Sequence, residues 1–348
     1  MKQRYPIGIQ DFAKLRQEDY LYVDKTKAIY ELAQSGSYFF LSRPRRFGKS
    51  LLLSTLKYFF QGKKELFQGL WVEQADYPWH AHPVLHISFS SIDYKGLGLA
   101  AALENAIFEA AELYGVVLKS QSLASRFREL IQILGKGPQK LVILIDEYDK
   151  PLIDYIEDMP QAEANRDTLK NFFSVIKDSD PFIRFFFITG VSKFSKVSLF
   201  SDLNHLEDLT INPLSATLVG YTQAEVEHYF ANEITALQTA SGKSHEETLA
   251  EIRRWYNGYR WWGSETLYNP FSVLNLMKSG QFINYWWESG TPSFLIKLLR
   301  NQFRYNVEQV DAGSDIFDSY TLESIEWKSL MFQTGYLTIQ GYDPDVRL

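Results

Sequence analysis

Cysteine is absent from all 348 residues. Its absence excludes a disulfide framework, a thiolate metal site and a cysteine nucleophile. Glycine and proline are sparse, at 20 and 12, which argues against long flexible linkers. Positive charge is not in excess: 36 Lys and Arg stand against 42 Asp and Glu, a formal net charge of −6. A chain coated in basic charge for nucleic acid is therefore excluded, although a local basic site is not. Nowhere do about 18 apolar residues run without charge, the length a membrane span requires. The opening Met1-Lys2-Gln3-Arg4-Tyr5-Pro6 lacks the apolar core of a signal peptide. The expectation is a cytoplasmic protein that does not enter the membrane.

Aromatic residues, by contrast, are abundant: 25 Phe, 21 Tyr and 8 Trp. They imply large buried surfaces and a face suited to a partner. The length exceeds what one compact core usually holds, so two or more packed lobes are expected. No fixed-period repeat or low-complexity tract is present.

Strands are expected over 37–41, 84–89, 141–145 and 183–188, with a weaker one at 209–211. Helices are expected in the N-terminal lead-in and over 51–60, 99–114 and 162–176. Strands alternating with helices imply parallel pairing through right-handed crossovers, hence an α/β domain with helices on both faces. From Gln223 to about Lys328 the pattern is mostly helical, with aromatic clusters and no comparable strand. The expected division is 1–215 and 216–348, with the boundary near 213–222. Residues 335–339 read as a strand and 341–345 as a turn, leaving only Val346-Arg347-Leu348 where a returning strand would run. A lone strand is a poor terminus, so the chain is expected to be cut from a longer protein.

Arg43-Pro44-Arg45-Arg46-Phe47-Gly48-Lys49-Ser50 lies between the first strand and the helix beginning near Leu51. Strand–loop–helix is the context in which backbone N–H groups point at bound phosphates. Lys49 would reach the β- and γ-phosphate oxygens, and the Ser50 hydroxyl would bind Mg²⁺. Gly48 permits close backbone approach. One position departs from the G-x-x-x-x-G-K-[ST] pattern: Arg43 occupies the first glycine. Arg43, Arg45 and Arg46 either touch phosphate or anchor the loop to acidic neighbours, and the sequence leaves that open. The bland alternative is a solvated basic turn before a helix.

Asp146-Glu147 directly follows the aliphatic strand Leu141-Val142-Ile143-Leu144-Ile145. Asp146 would hold Mg²⁺ through its water shell and accept a hydrogen bond from Ser50. Glu147 would polarise the water that attacks the γ-phosphate. The second acid discriminates, because P-loop kinases and GTPases usually manage without it. Asp149 would assist the metal or hold Lys150. At the next strand end, Thr189 and Ser192 are candidates to sense the γ-phosphate, with Lys193 as a positive group. Arg253-Arg254 is a candidate for a lid arginine. His80, His82 and His86 form the one histidine cluster, with no partner at a metal-ligand spacing.

With 43–52 and 145–151 both in view, the chain resembles the bacterial AAA-ATPase-like family, whose members commonly carry a PD-(D/E)XK-type nuclease domain at the C-terminus. Further matching stretches are Pro6-Ile7-Gly8-Ile9 with Phe12, Tyr22-Val23-Asp24-Lys25-Thr26 and Gly190-Val191-Ser192-Lys193-Phe194-Ser195. Trp255-Tyr256-Asn257-Gly258-Tyr259, Tyr268-Asn269-Pro270-Phe271 and Gln333-Thr334-Gly335-Tyr336-Leu337 complete the match. The resemblance implies a P-loop NTPase of the ASCE type, in which an extra strand separates the phosphate-loop strand from the acidic one. Its sheet order is expected to be 5-1-4-3-2, and a helical region follows. Arg43 in the first-glycine position then looks like a family feature. The nuclease domain would begin about where these residues end, so no nuclease residue is assigned.

The reading is Mg²⁺-dependent ATP binding and hydrolysis. Arg43, Pro44, Arg45, Arg46, Phe47, Gly48, Lys49, Ser50 and Leu51 would form the nucleotide loop. Ser50 and Asp146 would hold the metal, and Glu147, Lys49 and Thr189 would act on the reacting phosphate. Lobe movement would regulate the missing effector. The rivals are a nucleotide-gated protein-binding module with little hydrolysis and a nucleic-acid-responsive switch. Oligomerisation remains open.

Overall fold

The structure, a computed structural model, describes residues 4–193, 199, 200, 203, 205–285 and 327–341. Two helices lead in, α1 (Phe12–Gln17) and α2 (Thr26–Ser35). The sheet strands are β1 (Tyr38–Ser42), β2 (Val84–Ser88), β3 (Leu141–Asp146), β4 (Ile183–Gly190) and the two-residue β5 (Glu207–Asp208). They form one five-stranded sheet ordered β5-β1-β4-β3-β2, the expected 5-1-4-3-2 arrangement. Every pairing in it is parallel. The crossovers contain α3 (Lys49–Phe60), α4 (Tyr94–Leu97), α5 (Leu99–Leu113), α6 (Leu123–Gly135), α7 (Lys150–Ile153) and α8 (Met159–Ser174).

Strand alternation divides the core in two. Along β4, Phe186 and Ile188 face one layer while Phe185 and Phe187 face the other. Phe40 and Phe39 split the same way on β1, as do Ile143 and Leu144 on β3. A strand buried on both faces needs apolar residues at both parities, hence the unbroken runs Tyr38-Phe39-Phe40-Leu41 and Leu141-Val142-Ile143-Leu144-Ile145. Helix α6 adds Phe127, Leu130 and Ile131 to the first layer, the i, i+3, i+4 spacing of one helical face. Phe127 stacks on Phe172 of α8 with ring centroids 4.1 Å apart and planes 6° from parallel. The second layer packs α1, α2 and α3 through Phe12, Ile29, Leu53 and Phe59.

Beyond the sheet come α9 (Gln223–Tyr229), α10 (Ala231–Ser241), α11 (His245–Tyr256) and α12 (Pro270–Ser279). Capping boxes start two of these helices, Thr222 with Glu225 and Ser244 with Glu247. Leu21 and Val23 join this third cluster while the intervening Tyr22 joins the sheet core. The extended stretch before α2 therefore joins the helices to the sheet by alternation.

Three details differ from expectation. The weak strand near 209–211 lies slightly earlier, because Glu207 and Asp208 pair with Phe39 and Phe40. The helical part contains a short antiparallel pair, β6 (Asn257–Tyr259) and β7 (Leu267–Tyr268). Residues 335–339 are not a strand. They follow α13 (Trp327–Gln333) as a turn, a bend and irregular backbone, and the Thr338 side chain bonds the β6 strand region: its hydroxyl donates to Gly258 O at 2.7 Å and accepts from Arg260 N at 3.0 Å. The helical expectation over 286–326 and the final turn at 342–345 lie outside the described residues. Replacing Phe172 by Ala deletes one ring of the Phe127 stack. It should lower unfolding free energy by about 3–5 kcal/mol in urea denaturation; a loss under about 1 kcal/mol would mean this layer is not tightly packed.

Candidate functional site

A parallel sheet gathers its strand C-termini along one edge. Here β1 ends at Ser42, β4 at Gly190 and β3 at Asp146, with Ser42 level with Gly190 and Ile145 level with Ile188. The 43–50 loop leaves that edge and turns into α3. Gly48 caps the helix at φ 94° with no heavy atom within 4 Å of where a Cβ would sit. The glycine is needed for its left-handed backbone, not for space. Arg46 also has a positive φ, 65°, and its exposed guanidinium lies over the Phe271 ring at 5.0 Å.

Arg43 turns inward and is fully buried. Its guanidinium donates to Ser42 O and Thr210 O, both at 2.9 Å, to Ser215 O at 3.1 Å and to Ser215 Oγ at 3.2 Å. It also lies over the Trp261 ring at 4.4 Å. Burial pulls its pKa down to about 9, against the pull of Asp208. Of the two roles the sequence left open for this side chain, the structure gives it anchoring, on carbonyls rather than on acidic neighbours. Arg45 is half-buried beside Lys49, and its charge acts on that ammonium.

Lys49 is 6% exposed, and its ammonium donates to the carbonyls of Arg43 (2.9 Å) and Pro44 (3.0 Å). Burial pulls its pKa below the usual lysine range, opposed in order by Asp146, Glu147 and Asp149. The ammonium thus sits in the field of three carboxylates from the end of β3. Asp146 is buried, and its Oδ1 accepts from Thr189 Oγ1 at 2.7 Å, the donor role expected of Ser50. Ser50 lies half-buried in the first turn of α3. Glu147 is half-buried with a left-handed backbone, φ 54°.

Asp149 closes the turn. One of its oxygens accepts from Val191 N (3.0 Å), Ser192 N (2.9 Å) and Ser192 Oγ (3.0 Å). Burial pushes its pKa up, while the Ser192 bonds and Lys49 pull it back. Asp149 and Ser192 therefore bind each other, and Lys193 pairs with Asp208 at 2.9 Å. Arg253 lies on exposed helix surface and donates to Gln223 at 3.3 Å. Of the histidines, His82 bonds Lys140 O at 2.8 Å, and among the described residues no group of three metal-ligating side chains exists.

Beside Gly48 opens a small cleft, lined by Tyr22, Val23, Leu51, Leu218, Val219 and Tyr221 among others. At its margin Lys25 donates to both oxygens of Glu225, at 2.6 and 2.7 Å. Phe47, Gly48 and Leu51 of the loop line it, and the remaining lining residues were not singled out as site residues from the sequence. Tyr22-Val23-Asp24-Lys25-Thr26 was a visible motif, but its nearness to the loop is a product of folding.

Residues 6–200, more than half of the chain, match the family described as "Predicted AAA-ATPase". The chain belongs to that AAA-ATPase-like family. Membership points to nucleotide binding, and the α/β sheet is of the P-loop-like kind. A curated relative from Azotobacter chroococcum mcd 1, named "Uncharacterized protein in vnfD 5'region", is 44% identical over 347 residues. The alignment covers 97% of this chain and 64% of that relative, so the chain spans less than two thirds of its length. No solved structure matches. The matched span holds the 43–50 loop, the Asp146–Asp149 turn and Thr189, whereas Leu218 to Tyr221 of the cleft lie beyond it. Among the described residues, no helix is long and apolar enough to cross a membrane.

Gly190 fixes the spacing at the strand edge. A Cβ there would come within 2.6 Å of the Tyr148 ring and 2.9 Å of Asp149 Oδ1. Gly190→Ala should destabilise the fold by about 1–3 kcal/mol through overpacking, seen as a lowered Tm. An unchanged Tm would show that this turn is loose enough to yield.

Proposed function

We propose that the chain binds ATP together with Mg²⁺ and hydrolyses it at the 43–50 loop, as an ASCE-type P-loop ATPase. The observation that carries this reading is the convergence of Lys49 with Asp146 and Glu147 at one sheet edge. A buried cation facing a patch of carboxylates is what a metal–triphosphate complex needs: the cation for phosphate oxygen, the acids for metal and water. Backbone N–H groups of the loop and the start of α3 face the phosphates. Lys49 exchanges the carbonyls of Arg43 and Pro44 for β- and γ-phosphate oxygens, and Arg45 and Arg46 add positive charge at the mouth. The loop side chains of Arg43, Pro44 and Phe47 support the turn from behind.

Ser50 and Asp146 are the residues that would hold Mg²⁺. Both offer hard oxygen donors, and a site with one carboxylate and one hydroxyl suits an ion that keeps waters and shares phosphate oxygens. When bound, the metal neutralises charge on those oxygens. Thr189 orients Asp146 through its 2.7 Å hydrogen bond. Glu147 polarises the attacking water. The cleft lined by Tyr22, Leu51 and Tyr221 supplies an apolar seat for the base. Closure of the helical part over the nucleotide would transmit the cycle to an effector domain of the nuclease-like kind. The greater length of the Azotobacter relative leaves room for such a domain.

Fluorescent-nucleotide binding and phosphate release test this. Lys49→Ala should weaken nucleotide binding. Glu147→Gln should keep binding and lose turnover by at least about 100-fold, the usual contribution of a general base. Unchanged hydrolysis in that variant would remove Glu147 from the mechanism. Tight binding without phosphate release in the unaltered chain would favour a nucleotide-gated switch instead.

A further inference from the structure

The loop lysine rests on two carbonyls, and the side chains of the same two residues touch the helical part. Arg43 O and Pro44 O hold the Lys49 ammonium, while the Arg43 guanidinium covers the Trp261 ring at 4.4 Å. Pro44 lies so close to Gly335 that a Cβ there would come 2.8 Å from Pro44 Cγ. Three residues on, Phe47 meets Tyr259 edge-on at 4.7 Å, and its carbonyl accepts from Gly220 N at 3.3 Å. The contacts of Trp261 and Tyr259 place the β6–β7 hairpin directly behind the phosphate loop.

Position 43 is where the general loop pattern has glycine, which would turn freely but reach nothing. Arginine instead spans from the end of β1 through Thr210 and Ser215 to Trp261. The contact is not one that hydrogen bonding alone selects: both Arg43 Nε and Trp261 Nε1 are buried without a hydrogen-bond partner. Charge and ring face hold the two together. Asp208, whose charge acts on Arg43, is itself paired with Lys193 at the β4 end.

We propose that Arg43 is a positioning residue that couples the placement of Trp261 to the release of Lys49, so that the hairpin sets nucleotide affinity. This rests on the nucleotide reading above. For Lys49 to reach phosphate it must leave the carbonyls of Arg43 and Pro44, and the peptide between those residues is tethered through the guanidinium to Trp261. Coupling of this kind is reciprocal: nucleotide alters the surroundings of Trp261, and disturbing Trp261 alters nucleotide affinity by the same factor. Whatever displaces the hairpin thereby controls loading of the site.

The test uses protein labelled with 5-fluorotryptophan, the Trp261 fluorine resonance being assigned by its loss in Trp261→Phe. Adding ATP with Mg²⁺ should shift that resonance in the otherwise unaltered chain. In Arg43→Met the shift should vanish and nucleotide Kd should rise about tenfold, within the range of site-to-site coupling. Arg43→Lys keeps the charge without the planar fork and should also lose the shift. Trp261→Leu should weaken Kd to a similar extent, and its combination with Arg43→Met should be no weaker than either alone. Multiplying effects, or ATP binding with a silent Trp261, would overturn the coupling while leaving the nucleotide reading intact. Failure of ATP to bind the unaltered chain at all would remove both. Should Arg43→Met fail to fold, the wild-type resonance and Trp261→Leu keep the outcomes readable.

Discussion

A buried ammonium in the field of three carboxylates is the interaction on which the arrangement depends. Lysine is rarely buried this far, because taking its charge out of water is costly. Two loop carbonyls solvate the Lys49 head, and Asp146, Glu147 and Asp149 oppose the depression of its pKa. The sheet order makes the meeting possible. With β4 between β1 and β3, the loop after one strand and the acids after the other lie at the same sheet edge, and Thr189 on the strand between bonds Asp146.

The rest of the molecule serves that edge. Alternating side chains on β1, β3 and β4 fill two apolar layers at once, so the strand ends are held from both faces. The Leu21–Val23 stretch uses the same period-two logic without belonging to a strand. Neighbouring side chains enter different cores, and the Lys25–Glu225 pair fastens the stretch to α9. That pair is mostly buried and hydrogen-bonded through both carboxylate oxygens. It therefore specifies where the helices sit more than it adds stability.

Much of this was legible in the sequence, for identifiable reasons. Aliphatic runs bounded by Gly, Pro and acids mark doubly buried strands, and Leu141 to Ile145 admits little else. Gly48-Lys49-Ser50 and Asp146-Glu147 stood out because strand and helix signals flank them. Other features were not legible. An arginine at 43 has the same letters whether it meets phosphate or lies under a tryptophan 218 positions later. The cleft is built from residues near 22, 51 and 220, which only folding brings together. Residues 335–339 have β-prone composition, yet Gly335 adopts φ 87° and Thr338 bonds through its hydroxyl, so no ladder forms. Propensity yielded there to tertiary contact.

The backbone at Glu147 has one more implication. A glutamate at φ 54° sits in a region that side chains with a Cβ enter only at a cost of about 1–2 kcal/mol. Glycine, and to a lesser degree asparagine, would relax there. The acid is thus kept against the local conformational preference, and replacing it asks little of the fold. A copy without this carboxylate should retain a well-formed scaffold, and on the reading proposed above it would capture its ligand and never discharge it, one substitution away.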